Sequence, residues 1–155
     1  MASVELLKKL ESPEFPNLGD RLLVIYDSHC GFCNRSIRWF LAHDLFDRFR
    51  FAPSDSRSVA PILARHQISA LSPSTMIVVR HPGKPYEKVL TRSSGVKAML
   101  FELPSPWSEL AIPLNGIPRP IRDLGYRLIA ALRYRFAGRY ESCPIPTPEE
   151  REHFL

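Results

Sequence analysis

Apolar and polar positions along this chain alternate between two periods, and each change of period marks the end of an element. "RLLVIYD" (21–27) is a short, continuous apolar run with β-branched and aromatic members, the pattern of a buried strand. In "NRSIRWFLAHDLF" (34–46), Ile37, Phe40, Leu41 and Leu45 recur at helical spacing, with Arg35, Arg38 and Asp44 between them. This predicts an amphipathic helix starting around Cys33. "RFRFAP" (48–53) alternates as a strand does. "SRSVAPILARHQI" (56–68) opens on serines and carries Val59, Ile62 and Leu63 on one face. Its Pro61 is tolerable only in the first turn of a helix.

The second half opens with another strong strand, "STMIVVR" (74–80). "HPGKPYE" (81–87) is a turn by its Pro and Gly content, and "KVLTRS" (88–93) completes a hairpin. "SGVKAMLFEL" (94–103) reads as a short helix. Pro104, Pro106, Pro113, Pro118 and Pro120 then deny any long helix or central strand, leaving a wrapped connection with a helical turn around "PWSELA". "PIRDLGYRLIAALRYRFAG" (120–138) is a clear helix: Pro120 starts it, Ile121, Leu124, Leu128, Leu132 and Phe136 mark one stripe, and Gly138 stops it. The order is a βαβ unit followed by a ββα unit. The expected fold is therefore an α/β sandwich, a central four-stranded mixed sheet flanked by helices, with an extra C-terminal Arg-rich helix and a Pro-rich tail. Residues 1–20, punctuated by Pro13, Pro16 and Gly19, read as an N-terminal extension, and 21–155 as a single domain.

Composition narrows the class. With 155 residues, 45% hydrophobic and 24% charged, the chain has the make-up of a soluble globular domain. No apolar run approaches the ~20 residues of a membrane helix. The N-terminus lacks a secretory apolar core, and Glu5, Glu11, Glu14 and Asp20 argue against an acidic-poor transit peptide, so the cytoplasm is expected. Three cysteines are too few for a disulfide framework, which fits a reducing compartment. The net charge of +5 rests on sixteen arginines against five lysines. A basic, aromatic face on the last helix (Arg122, Arg127, Arg133 and Arg135 with Tyr126 and Tyr134) could meet nucleic acid or anionic lipid. The plainer expectation is that the aromatics pack and the arginines are solvated or paired with Glu149, Glu150 and Glu152.

The candidate chemistry lies at one junction. Cys30 and Cys33 stand two residues apart between the first strong strand and its helix. A helix N-terminus offers orphan N–H donors and the positive end of the macrodipole, which favour a thiolate over a thiol. Cys33, three residues on, lies on the same side and is expected to be the more buried of the two. Cys30 would then attack a disulfide and Cys33 would resolve the mixed disulfide. CxxC at this place in a small α/β protein points to a thioredoxin-like architecture. Two other readings stay open: half of a zinc site, completed by Cys143, His153, His43, His66 or His81, or two inert buried thiols. Asp27 could take hydrogen bonds as the loop turns, accept the proton of Cys33, or cap the turn. His29 is expected to be exposed and without consequence, and Cys143 to be a small buried anchor of the tail.

"YDSHCGFCNRSIRWFLAHD…RFRFAP" and "RYRFAGRYESCPIPTPEEREHFL" resemble the DCC family of thiol–disulfide oxidoreductases, named for an Asp-x-x-Cys-x-x-Cys motif. Here that motif falls on Asp27, Cys30 and Cys33, and the match extends from about Arg21 to Leu155. The resemblance implies a thioredoxin-like domain exchanging its dithiol with a disulfide-containing protein or thiol substrate. On this leading reading electrons come from, or go to, another thiol protein or glutathione as the thiol reductant, the direction being left open by the sequence, with no dissociable cofactor and no metal. Thioredoxin-like proteins place a cis-proline before the strand that faces the dithiol. In this chain Pro73 lies near that place, and Ser74 or Thr75 could occupy it instead. The alternative is a non-catalytic thioredoxin-like binding module whose cysteines are structural or hold a metal.

Overall fold

The computed structural model describes residues 21–27, 30–68, 76–137, 148 and 150–154, with the side chains of Gly31, Phe32, Arg133, Tyr134, Phe136, Ala137, Glu150 and Glu152 left out of the description. The elements run β1 (Leu22–Tyr26), α1 (Gly31–His43), β2 (Phe49–Pro53), α2 (Ala60–Arg65), β3 (Ile77–Arg80), β4 (Lys88–Thr91), α3 (Arg92–Phe101), α4 (Trp107–Leu110) and α5 (Arg119–Ala137). Short 3-10 turns cover Ile112–Gly116 and Glu150–His153.

The four strands form one mixed sheet in the order β2-β1-β3-β4. β1 runs parallel to β2, with Val24 opposite Phe51. Parallel neighbours need a crossover, and α1 supplies it. β3 is antiparallel to β1 and to β4, so the second half enters as a hairpin. This is the open mixed sheet with flanking helices expected of a thioredoxin-like sandwich.

Side-chain alternation along β1 divides the core. Leu22, Val24 and Tyr26 join Ile37 and Phe40 of α1, Phe49 and Phe51 of β2, and Met99 of α3 in one cluster. Leu23 and Ile25 face the other way, onto Ala52, Val59, Ile62, Leu63, Ile77 and Val79. A strand that is apolar at every position is thus explained by burial on both faces. Pro61 is the second residue of α2, in the first turn where its missing N–H does no harm.

Two boundaries differ from the sequence reading. β4 stops at Thr91 because Arg92 takes a positive φ of 54°, and the next helix starts there. α1 starts at Gly31, before the second cysteine, because Cys30 itself caps it. The Pro-rich connection is wrapped as expected and carries a cis Ser105–Pro106 bond. Trp107 pins it across α1, with its ring 5.0 Å from that of Trp39 and 5.3 Å from that of His43. At the far end of the chain, Phe154 pairs with Phe51 in an isolated bridge and sets its ring edge-on to Tyr26.

α5 packs mainly on α1 and α3. Much of its apolar stripe is exposed: Ile121, Leu124 and Leu128 are 61%, 67% and 63% exposed, while Leu132 is half-buried. The inward side carries Arg122, Asp123 and Tyr126. Arg127 and Arg135 are exposed, as expected for solvated arginines, whereas Arg122 is not. The predicted ion pairs with Glu149, Glu150 and Glu152 fall on side chains outside the description, as does the stop at Gly138.

Candidate active site

β1 is a buried inner strand of the sheet, and α1 is the next element in the chain. The Cys30 N–H donates to the carbonyl oxygen of Asp27 at 3.2 Å. Cys30 keeps extended backbone angles (φ −90°, ψ 117°) and occupies the N-cap of α1. Its Sγ accepts the backbone N–H of Cys33 at 3.3 Å, taking the place that a serine or aspartate oxygen fills in most helices. A sulfur held there lies against an orphan donor of the first turn and the positive end of the helix. Asp27, Cys30 and Cys33 are all buried, and the two cysteines are free thiols.

The order of burial is the reverse of the expected one. Cys30 has no exposure at all, whereas Cys33 retains 6%. Cys30 is turned inward because its sulfur serves the cap. Cys33, a turn later, lies at the wall of a cavity of about 480 Å³ between α1, α3 and α5. His29, Pro73, Ser74, Thr75 and Cys143 lie outside the described residues.

Sequence reasoning missed Asn34. Its side-chain Nδ2 and its backbone N–H both donate to the carbonyl oxygen of Cys30, at 2.9 and 3.0 Å. A buried asparagine in the first turn therefore fixes the peptide that carries the first cysteine. The signal was available: Asn34 falls four residues after Cys30, on the inward face that the helical stripe predicts. Tyr126, an aromatic expected to pack, also makes a polar contact. Its hydroxyl accepts the N–H of Met76, the residue preceding β3, at 2.9 Å. Met76 shares the core cluster with both cysteines.

The histidines proposed as extra metal ligands have other contacts. His43 Nδ1 is 2.7 Å from the Trp39 carbonyl, and His66 Nε2 is 2.7 Å from Glu87. His81 stacks edge-on to Tyr86, and His153 lies 3.5 Å from Asp47. Among the described residues, metal-type side chains gather at Asp44, Asp47 and His153, apart from the cysteines. Arg21 and Arg50 already pair with Asp47 in that group.

The mixed sheet, with a Cys-x-x-Cys pair split across the N-cap and first turn of the helix after its central strand, defines a thioredoxin-like thiol protein. The particular family follows from comparison with known chains. The family model described as DCC1-like thiol-disulfide oxidoreductase matches residues 24–139, and the chain belongs to that family. An uncharacterised Bacillus subtilis protein, YuxK, is 23% identical over 146 residues, spanning 94% of this chain and 99% of its own length. A DCC family protein of Arabidopsis thaliana, described as chloroplastic, is 25% identical over 143 residues, covering 92% of this chain and 79% of its own. No solved structure matches the chain. Among the described residues, no helix is long and apolar enough to cross a membrane.

Proposed function

We propose that this protein exchanges its Cys30–Cys33 dithiol with disulfides of protein or small-molecule partners. The observation that carries the reading is the N-cap position of Cys30, whose sulfur receives the Cys33 amide at 3.3 Å. The Cys30 thiolate attacks one sulfur of a substrate disulfide, forming a mixed disulfide and expelling the other sulfur as thiolate. Cys33 loses its proton, attacks the Cys30 sulfur and releases the second substrate thiolate. Two electrons pass to the substrate, and a Cys30–Cys33 disulfide remains. Glutathione or another dithiol protein would return those electrons. Asp27 supports the step by accepting the Cys30 N–H on its carbonyl and by offering a carboxylate for the Cys33 proton. A reducing compartment, in our reading the cytoplasm, would supply the thiols that return the Cys30–Cys33 disulfide to the dithiol.

Because Cys30 is fully buried, attack requires the cover over its sulfur to open, or a partner that displaces it. That same burial favours a second reading, a binding module whose cysteines only fill the core. Rates of alkylation at each cysteine, followed by mass spectrometry across pH and across glutathione redox buffers, separate the two. The redox reading expects faster labelling of Cys30 than of Cys33 and a midpoint for their interconversion. It also expects Cys30→Ser to abolish reduction of a model disulfide, and Cys33→Ser to accumulate the mixed disulfide. Full exchange by the Cys30→Ser variant would overturn the assignment. A dithiol that never oxidises would leave the binding module.

A further inference from the structure

The cavity beside Cys33 is mostly apolar, with Ser36, Ser93 and Tyr126 as polar members of its lining and one charge, that of Arg122. Phe40, Met76, Val96, Ile121 and Ile129 line it, and its volume of about 480 Å³ is within the roughly 300–1,000 Å³ typical of small-molecule sites. Ile117, Ile121 and Ile129 are exposed as well as lining, so an apolar rim leads in from the surface. Into this lining α5 brings Arg122. The Nε and Nη1 of that guanidinium are buried and, among the described residues, have no hydrogen-bond partner.

An arginine cannot shed its charge, and burying its N–H groups without acceptors is costly. The neighbouring carboxylate does not answer it. Asp123 takes the Ser93 hydroxyl on one oxygen and Arg119 on the other, at 3.4 Å. The exposure of Leu124 and Leu128 sharpens the point, because the opposite orientation of α5 would have buried those leucines and left Arg122 in water. The helix instead keeps a cation facing an apolar chamber, an arrangement that an anionic guest completes.

We propose that this cavity binds a small apolar molecule carrying one anionic group, a carboxylate or phosphate monoester on a medium-length chain. The anion meets the Arg122 guanidinium, and the chain fills the space between α1, α3 and α5. The proposal stands apart from the redox reading, since binding is measured without any turnover.

Titration calorimetry of the full chain with octanoate, octyl phosphate and 1-octanol tests it. One saturable site per chain is expected for at least one of the two anions, whichever binds more tightly identifying the head group. The neutral alcohol should bind at least tenfold more weakly. Arg122→Met should lower anion affinity at least tenfold, to the level of the alcohol. Gly125→Leu fills the chamber from α5, where a Cβ meets nothing within 4 Å, and should weaken anion and alcohol alike. Circular dichroism of both variants keeps loss of binding distinct from loss of fold. Absence of saturable anion binding to the native protein overturns the proposal. So does unchanged affinity in a folded Arg122→Met or Gly125→Leu variant, or an alcohol that binds as tightly as the anions.

Discussion

Asp47 lies in the turn between α1 and β2 at a positive φ of 52°, and basic side chains converge on its carboxylate. Arg50 Nη1 donates at 2.6 Å and Arg21 Nη2 at 2.9 Å. The Arg50 hydrogen bond chiefly, with Arg21 adding to it against partial burial, lowers the Asp47 pKa to about 2 from 3.8. A carboxylate depressed in the folded state adds stability that is present above its unfolded value and is lost as pH falls through the folded one. The window therefore runs from about pH 4 down to about pH 2. Because the Asp47 side chain is 45% exposed, solvent screening limits the contribution to about 1 kcal/mol or less. Asparagine tolerates the same backbone angle without the charge. Urea denaturation should find Asp47→Asn slightly less stable than the native protein at pH 7, with the gap closing between pH 4 and pH 2. A gap that persists unchanged at pH 2 would show that the ion pairs are not its source.

At the scale of elements, α3 approaches the sheet closely at Gly95. A Cβ added at Gly95 would stand 3.1 Å from Cγ2 of Val78 and 3.3 Å from the Leu90 carbonyl oxygen. Alanine improves helix propensity by up to about 1 kcal/mol, but one of these neighbours is strand backbone and the other a fully buried side chain. Neither gives way easily, so overpacking should prevail. Gly95→Ala is expected to lower unfolding free energy by about 1 kcal/mol, read from the denaturation midpoint at constant slope. This close approach was not legible in the sequence, where Gly95 was one residue in "SGVKAMLFEL". The elements themselves were legible wherever burial imposes a period. β1, and β3 up to Val79, are apolar because both their faces are covered, and α1 shows its stripe because one side meets the sheet. Ends were harder, since Arg92 turns the chain by a backbone angle that its residue type does not announce. The cysteine pair and its place were also readable. Its burial order was not, because capping by a sulfur is decided by rotation about one side chain.

At the scale of the molecule, α5 separates what a pattern can say from what packing decides. Periodicity identified the helix and its apolar stripe, but a stripe does not name its partner. Here the partly polar side packs inward on α1 and α3, fixed by two tethers: Tyr126 to the Met76 amide and Asp123 to the Ser93 hydroxyl. Those hydrogen bonds join α5 to the residue before β3 and to the first turn of α3. They tie the helix to the framework around the cysteines without using its leucines. If the stripe were core, replacing Leu124 and Leu128 by glutamine would remove two buried side chains and cost several kcal/mol. In the observed orientation both are solvent-facing, and each change should move stability by no more than about 0.5 kcal/mol. The Leu124→Gln/Leu128→Gln protein should therefore unfold at nearly the native urea midpoint, while Ile37→Ala, in the covered face of α1, should cost about 2–5 kcal/mol in the same assay. A double variant as unstable as Ile37→Ala would mean that α5 turns its leucines inward. Arg122 would then leave the cavity, and the tethers through Tyr126 and Asp123 could not form.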